Sequence, residues 1–197
     1  MRLIPDAEFL PWAAESGLLP DPRYPRSKQL VFPASPDTSR FWLPPSIPSD
    51  LPGFLATAIQ LASKTGPYRL RRRGGGALYY GEDASFREIV IERALRAVGV
   101  PEDAEGAIEF EESEWAAVLF LSTAYYTFGW CVATDLEIVT PDRRSCLMLG
   151  HHGELAVHFA SEADLALFEA GMSAGAYPLP EDVPDSTFKR PPWMRPE

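Results

Sequence analysis

Cysteine and histidine are scarce in this chain, which has two cysteines and three histidines among 197 residues. Cys131 and Cys146 are too few for a disulfide framework, so the sequence predicts reduced thiols and a cytoplasmic location. Both lie in apolar runs, where a thiol normally packs without reacting. His151, His152 and His158 lack the spacing of a zinc motif, and we expect no metal and no other cofactor.

The short motifs of common active sites are also missing. There is no G-x-S-x-G nucleophile elbow, and three consecutive glycines at 74–76 match neither the P-loop nor the dinucleotide-binding pattern. Asp135, Glu137 and Asp142 lie near the ends of predicted strands and could act as acids or bases. Without a predicted pocket around them, we expect ordinary solvated carboxylates. The sequence therefore predicts no catalytic residue.

Basic residues are fewer than acidic residues: the chain has 18 Lys and Arg, 28 Asp and Glu, and a formal net charge of −10. This balance argues against nucleic acid as a direct partner and favours a cationic one. The N-terminal residues lack the continuous apolar segment of a signal peptide. The run 115–134 has no charged residue and could span a bilayer by length. Hydroxyl groups interrupt it and acids flank it, so we expect a buried helix from about Ser113 to Gly129, and no membrane partner.

Proline is unevenly distributed, and its positions divide the chain. Of 20 prolines, eleven lie in residues 1–52 and six after residue 177. We expect one domain, with a proline-rich N-terminal arm (1–48), a regular core (49–177) and a C-terminal arm (178–197). In the first arm, Pro11–Ser16 favours a short helix, and 29–32 and 40–43 favour edge strands.

The core has the patterns of an α+β protein. Helices are predicted over 51–64, from the capping box at Ser85, over the long apolar run, and from Ser161 to Gly175. Three short apolar runs at 136–139, 146–149 and 155–159 predict an antiparallel meander. We therefore expect a sheet dominated by this C-terminal three-stranded meander, packed by three to four helices, with the arms outside.

An arginine-rich stretch precedes the three glycines. We expect 68–73 and 77–80 to form a hairpin around them. Alternation places Arg69, Arg71 and Arg73 on one face, where they could bind an anion. The simpler interpretation is a solvated hairpin whose arginines pair with acids such as Glu82 and Asp83.

Residues 102–114 contain seven acids and no base. The stretch could be a hydrated loop leading into a helix N-terminus, where acids favour the helix dipole. Alternatively, it could be a surface that steers and holds a basic protein, anchored by exposed aromatic residues nearby. The acids are Glu102, Asp103, Glu105, Glu109, Glu111, Glu112 and Glu114.

The C-terminal part of the chain contains several short sequence stretches in and around the predicted meander. Gly129-Trp-Cys-Val132 precedes the meander, His151-His-Gly153 lies in one of its turns, and the tail includes Thr187-Phe-Lys-Arg-Pro-Pro-Trp-Met194. In these features and in its acidic α+β character the chain resembles bacterial immunity proteins of contact-dependent and polymorphic toxin systems. The resemblance implies a protein that binds and occludes a cognate toxin domain, often a basic nuclease. The alternative is a small enzyme or ligand-binding domain that takes an anionic or phosphorylated molecule on Arg69, Arg71 and Arg73.

Overall fold

The computed structural model describes residues 1–22, 29–45, 47–63, 65–81, 86–128, 135–142, 144–150 and 153–179. Within these residues there are five α-helices and nine strands, and every strand pair is antiparallel. The α+β class predicted from the sequence is confirmed.

Seven of the described strands form one sheet. They are β1 (Arg2–Ile4), β4 (Ser39–Trp42), β5 (Tyr68–Arg72), β6 (Ala107–Phe110), β7 (Leu136–Val139), β8 (Ser145–Leu149) and β9 (Leu155–Phe159). Their order in the sheet is β1-β6-β5-β7-β8-β9-β4, and β2 (Leu19–Pro20) pairs with β3 (Leu30–Val31) in a separate ribbon. The predicted meander is confirmed as β7-β8-β9, and the predicted edge strand at 40–43 is confirmed as β4.

Four helices cover one face of this sheet. They are α2 (Leu51–Ala62), α3 (Phe86–Ala97), α4 (Trp115–Phe128) and α5 (Glu162–Ala174). Alternate residues of the central strands, including Leu70, Ile138 and Leu147, point into the larger apolar core beneath these helices. The spacing follows from the two-residue period of a strand, which sends every second side chain to the same face.

The helix boundaries follow local capping chemistry. The hydroxyl of Ser161 accepts a hydrogen bond from the backbone N–H of Asp164 at 3.2 Å, as predicted for the start of α5. A 3-10 turn, Glu112–Glu114, leads into α4 and is closed by a capping box between Glu111 and Glu114. The predicted cap of α3, Ser85, and residues 129–134 lie outside the described residues.

The N-terminal segment covers the opposite face of the sheet. Helix α1 (Asp6–Ala14) contributes Phe9 to a smaller apolar core that also contains Leu30, Val139 and Cys146. The predicted helix Pro11–Ser16 was wrong in its start, because the helix begins after Pro5 with Asp6 and Glu8 in its first turn. Acids are favourable there, since the N-terminal end of a helix carries partial positive charge.

Two further predictions are wrong. The expected hairpin does not form, because β5 lies in the sheet between β6 and β7, and Ala77 makes only an isolated bridge with Glu105. The stretch 102–114 is not entirely a loop, because residues 107–110 form β6. Both corrections have one cause: arginines of β5 lie opposite acids of the neighbouring strands, with Arg69 beside Glu109 in the register.

Candidate functional site

The arginines of β5 are used inside the protein. Arg71 is 1% exposed, and its guanidinium donates to Glu137 at 2.9 Å and to Asp6 at 3.0 Å. The other carboxylate oxygen of Glu137 accepts from the backbone N–H of Leu30 at 2.8 Å. The guanidinium also lies over the ring of Phe9, 5.5 Å from its centroid. This buried network joins β5 and β7 to α1 and β3.

The charges of this network are set by burial and by each other. Burial alone would lower the pKa of Arg71, but Glu137 and Asp6 raise it above its ordinary value, so the guanidinium stays charged. Burial raises the pKa of Glu137, although Arg71 and the N–H of Leu30 act against that rise. The prediction that Glu137 is an ordinary solvated acid was therefore wrong. The same prediction was wrong for Asp135, which is buried and pairs with Arg73.

Arg69 belongs to a second ion-pair group at the edge of the same face. It donates to Glu109 at 2.7 Å, and Arg2 donates to the other oxygen of Glu109 at 3.0 Å. Burial acts to raise the pKa of Glu109, but hydrogen bonds from the two arginines hold it below its ordinary value. The guanidinium of Arg69 also stacks on Trp12, 3.6 Å from the ring centroid. Since Arg69, Arg71 and Arg73 each have a carboxylate partner, an anionic ligand would have to displace one.

The acidic stretch is divided by the fold. Glu109 is buried in β6, Glu102 pairs with Arg96 at 2.8 Å, and Glu114 accepts from the amino group of Met1 at 2.7 Å. The amino group and the N–H of Glu111 hold the pKa of Glu114 below its ordinary value. Three of the seven acids thus form ion pairs within the chain, and the side chain of a fourth, Glu111, accepts from the N–H of Glu114 in the capping box.

The four acids outside these three ion pairs are exposed and form two separate groups. Asp103 and Glu105 precede β6, whereas Glu111 and Glu112 follow it. The four residues of β6 lie between the groups and alone span roughly 13 Å at about 3.3 Å per residue. The stretch is therefore not one continuous acidic surface, and the second group is the one that adjoins helix α4.

Helix α4 exposes an aromatic residue that the sequence pattern did not reveal. The apolar run predicted a helix buried nearly all round, but Phe120 is 49% exposed. With Ala116 four residues before it and Thr127 seven after it, Phe120 occupies an outward-facing stripe along the helix. The apolar run does not reveal this stripe, because small and hydroxyl residues lie on both faces of the helix: Ser122 and Ala124 are buried, whereas Ala116 and Thr127 are exposed.

Two apolar grooves meet at Phe120. One, of ≈ 430 Å³, lies beside Val98, Ala116 and Glu114, and the other, of ≈ 320 Å³, lies beside Val90 and Thr127. Phe120 lines both grooves. An exposed ring between two concave apolar surfaces is the arrangement expected of a protein-binding anchor, since aromatic residues dominate the energetics of such contacts.

A pocket with both polar and apolar lining residues lies on the other side of the 3-10 turn that precedes α4. It has a volume of ≈ 460 Å³, opens to solvent and is lined by residues of α2, by Tyr68 of β5 and by Glu112 and Trp115. The rings of Tyr68 and Trp115 are 5.5 Å apart between centroids and tilted by 52°. Burial, and next the nearby charge of Glu112, raise the pKa of the Tyr68 hydroxyl above its ordinary value. The pocket thus combines a carboxylate with two aromatic rings.

Among the described residues, no group of three or more His, Cys, Asp and Glu side chains is placed to hold a metal ion. His158 is buried on the face opposite Val157 and contacts Gln29 at 2.9 Å and Ser39 at 2.7 Å through its ring nitrogens. His151 and His152 lie outside the described residues, as does Cys131. No helix in the described part of the chain has the length and apolar character needed to cross a membrane.

No protein-family model, curated protein or solved structure matches this chain. The candidate site therefore depends on the residues themselves. It consists of Phe120 with its two grooves, the exposed acids Glu111 and Glu112, and the pocket formed with Trp115 and Tyr68. We call this region the α4 surface.

Proposed function

We propose that this protein is an immunity protein that binds a basic toxin domain through the α4 surface and occludes it. The single observation that carries the binding proposal is the exposed ring of Phe120 between two apolar grooves, with carboxylates at the N-terminal end of the same helix. The inhibitory role comes from the resemblance to immunity proteins, and the cytoplasmic location predicted from the sequence is part of the proposal.

The charge of the protein supports a basic partner. The net charge of −10 attracts a cationic protein over a distance of about 8–10 Å at physiological salt. Exposed Glu111 and Glu112 then meet the partner at the contact itself. Complementary charge of this kind mainly raises the association rate and selects the partner, whereas the apolar grooves supply most of the affinity.

The alternative of an anion-binding domain has less support. It depended on Arg69, Arg71 and Arg73 forming a solvated face, but each guanidinium already lies beside a carboxylate. A bound phosphate would have to leave Glu137 buried without its partner, which costs several kcal/mol. A thermal-shift screen with nucleotides and phosphorylated metabolites tests this alternative, because a ligand that binds the folded state raises the melting temperature.

The proposal is tested by capturing proteins from a lysate of the source cells with three baits. They are the wild-type chain, Phe120→Ser and Leu167→Ser. Leu167 is the matched control, because it is 72% exposed and lies on α5, away from the α4 surface. Both substitutions remove an exposed apolar side chain, so neither should unfold the protein.

We expect one basic protein to bind the wild-type and Leu167→Ser baits at low salt and to be retained poorly by Phe120→Ser. Loss of a central aromatic contact typically costs about 2 kcal/mol or more, which is about 30-fold in affinity. High salt should weaken the capture by all baits. Equal retention by Phe120→Ser and wild type would place the interface elsewhere and contradict the proposal.

A further inference from the structure

The pocket beside α4 has a chemistry that the apolar grooves do not share. It is lined by Glu112, Trp115 and Tyr68, together with Thr57, Gln60 and Leu61 of α2, and the charge of Glu112 acts on the hydroxyl of Tyr68. We propose that this pocket receives an arginine side chain of the protein partner. This inference rests on the proposed function, since it names the group by which a basic partner engages the α4 surface.

The charge in the pocket favours a cation. Glu112 is exposed, and no ion pair engages it within the described part of the chain, whereas its neighbour Glu114 accepts from the amino group of Met1. The pocket also lies at the N-terminal end of α4, which carries about half a positive charge. The full negative charge of Glu112 exceeds this half charge, and the amino group of Met1 is already paired with Glu114, so the balance of these groups favours a cation.

The shape and lining favour a guanidinium over an ammonium. A guanidinium is planar, so it can stack on an aromatic ring while its edge donates two hydrogen bonds to a carboxylate. Trp115 and Glu112, which carry these two kinds of group, both line the pocket of ≈ 460 Å³. The chain already makes the same combination internally, where Arg69 stacks on Trp12 and donates to Glu109.

The position of the pocket fits a single interface with Phe120. Glu112 lines the pocket and Glu114 lines the groove beside Phe120, and both belong to the same 3-10 turn. A partner that covers Phe120 would therefore lie close to the mouth of the pocket. One arginine near the centre of a basic surface could enter it while apolar residues cover the phenyl ring.

The inference is tested with a peptide, so that it does not need the partner. The full chain, labelled with ¹⁵N, is titrated at low salt with acetyl-Gly-Arg-Gly-amide, and the indole N–H signal of Trp115 is followed by NMR. Absence of this signal in Trp115→Phe gives its assignment. The matched ligand has citrulline in place of arginine, which keeps the shape of the side chain and removes its charge. Glu112→Gln and, as a control for net charge, Asp103→Asn are titrated in the same way.

We expect the arginine peptide to shift the Trp115 signal to saturation and the citrulline peptide to leave it unchanged. Glu112→Gln should weaken binding about tenfold, as expected for the loss of one charged contact, and Asp103→Asn should bind like the wild type. No shift with the arginine peptide, an equal shift with citrulline, or unchanged binding by Glu112→Gln would overturn the inference. If the pocket fails this test but Phe120→Ser still loses the captured partner, the proposed function stands and only the arginine site is wrong.

Discussion

Removal of the Arg71 side chain should destabilise the protein far more than removal of an exposed arginine. In Arg71→Met, Glu137 keeps its place in the core, where it is 0% exposed, and loses the guanidinium that donates to it at 2.9 Å. Asp6 also loses a contact, but its side chain is 32% exposed and water can replace the arginine there. The cost should therefore come mainly from the carboxylate of Glu137.

The size of the effect follows from the burial of that carboxylate. Breaking a buried ion pair by removing one partner typically costs about 3–5 kcal/mol, because the other charge is left without compensation. A single domain usually has about 5–15 kcal/mol of stability, so the variant should stay folded but lose a large share of it. At a slope of about 2 kcal/mol per molar urea, the midpoint should fall by about 1.5–2.5 M.

Urea unfolding monitored by circular dichroism at pH 7 measures this change. Arg144→Met is the matched control, because Arg144 pairs with Asp164 at 2.7 Å but is 56% exposed, and its loss should cost less than about 1 kcal/mol. Arg71→Met combined with Glu137→Gln should recover part of the loss, since the neutral amide can still accept from the N–H of Leu30. If Arg71→Met costs no more than Arg144→Met, the buried network does not stabilise the fold as argued.

Three further predictions concern other parts of the fold. The pKa of Glu109 is lowered in the folded state, so its contribution to the free energy of unfolding is present above the unfolded pKa of about 4.3 and is lost as pH falls through the folded pKa. The free energy of unfolding should therefore fall more between pH 5 and pH 3 in the wild type than in Glu109→Gln. Equal slopes in the two proteins would contradict this. Gly106→Ala should destabilise the protein more than Gly99→Ala in urea unfolding. Both glycines have φ above 80°, but only at Gly106 would a new Cβ lie 2.4 Å from a backbone oxygen, that of Ile4. Similar losses of stability in the two variants would show that this contact is unimportant. Cys146 is buried, and its pKa is raised well above its ordinary value, so a thiol reagent should label it only in urea. Peptide mass spectrometry measures the labelling. Fast labelling of Cys146 in the native protein would contradict its burial.

The helices and the meander were predictable because their signals are local. Helix α5 begins at a Ser161 cap and ends at Gly175, and the strands of the meander are short apolar runs separated by turns. In each case the residues that specify the element lie within it or beside it. These patterns define the packing of helices on one face of the sheet.

The prediction for β5 was wrong because the contacts that place this strand in the sheet come from residues distant in the sequence. Four arginines in the six residues 68–73 indicate an exposed strand unless their partners are known, and the Glu137 partner of Arg71 lies 66 residues away in β7. Similarly, the negative charge around Ala107–Phe110 concealed the alternation of a strand, in which Glu109 points to the face opposite Ile108. Both β5 and β6 are identified only when their pairing with distant strands is known. The sequence pattern of a single segment does not contain this pairing.

The candidate site was predicted only in part. Glu111 and Glu112 belong to the acidic stretch that suggested a basic partner, but the fold uses Glu102, Glu109 and Glu114 internally. An exposed aromatic side chain lies near these acids, that of Phe120, and its role as an anchor for a partner is part of the proposal. Its position could not be read from the apolar run, because exposure depends on which face of α4 the neighbouring helices cover.

The most direct test of the central claim is the growth of cells that express the captured partner. Expression of the partner alone should stop growth, and coexpression of the wild-type chain or of Leu167→Ser should restore it. Phe120→Ser, at equal expression, should fail to protect the cells. A partner that is harmless when expressed alone, or full protection by Phe120→Ser, would contradict an immunity protein that acts through the α4 surface.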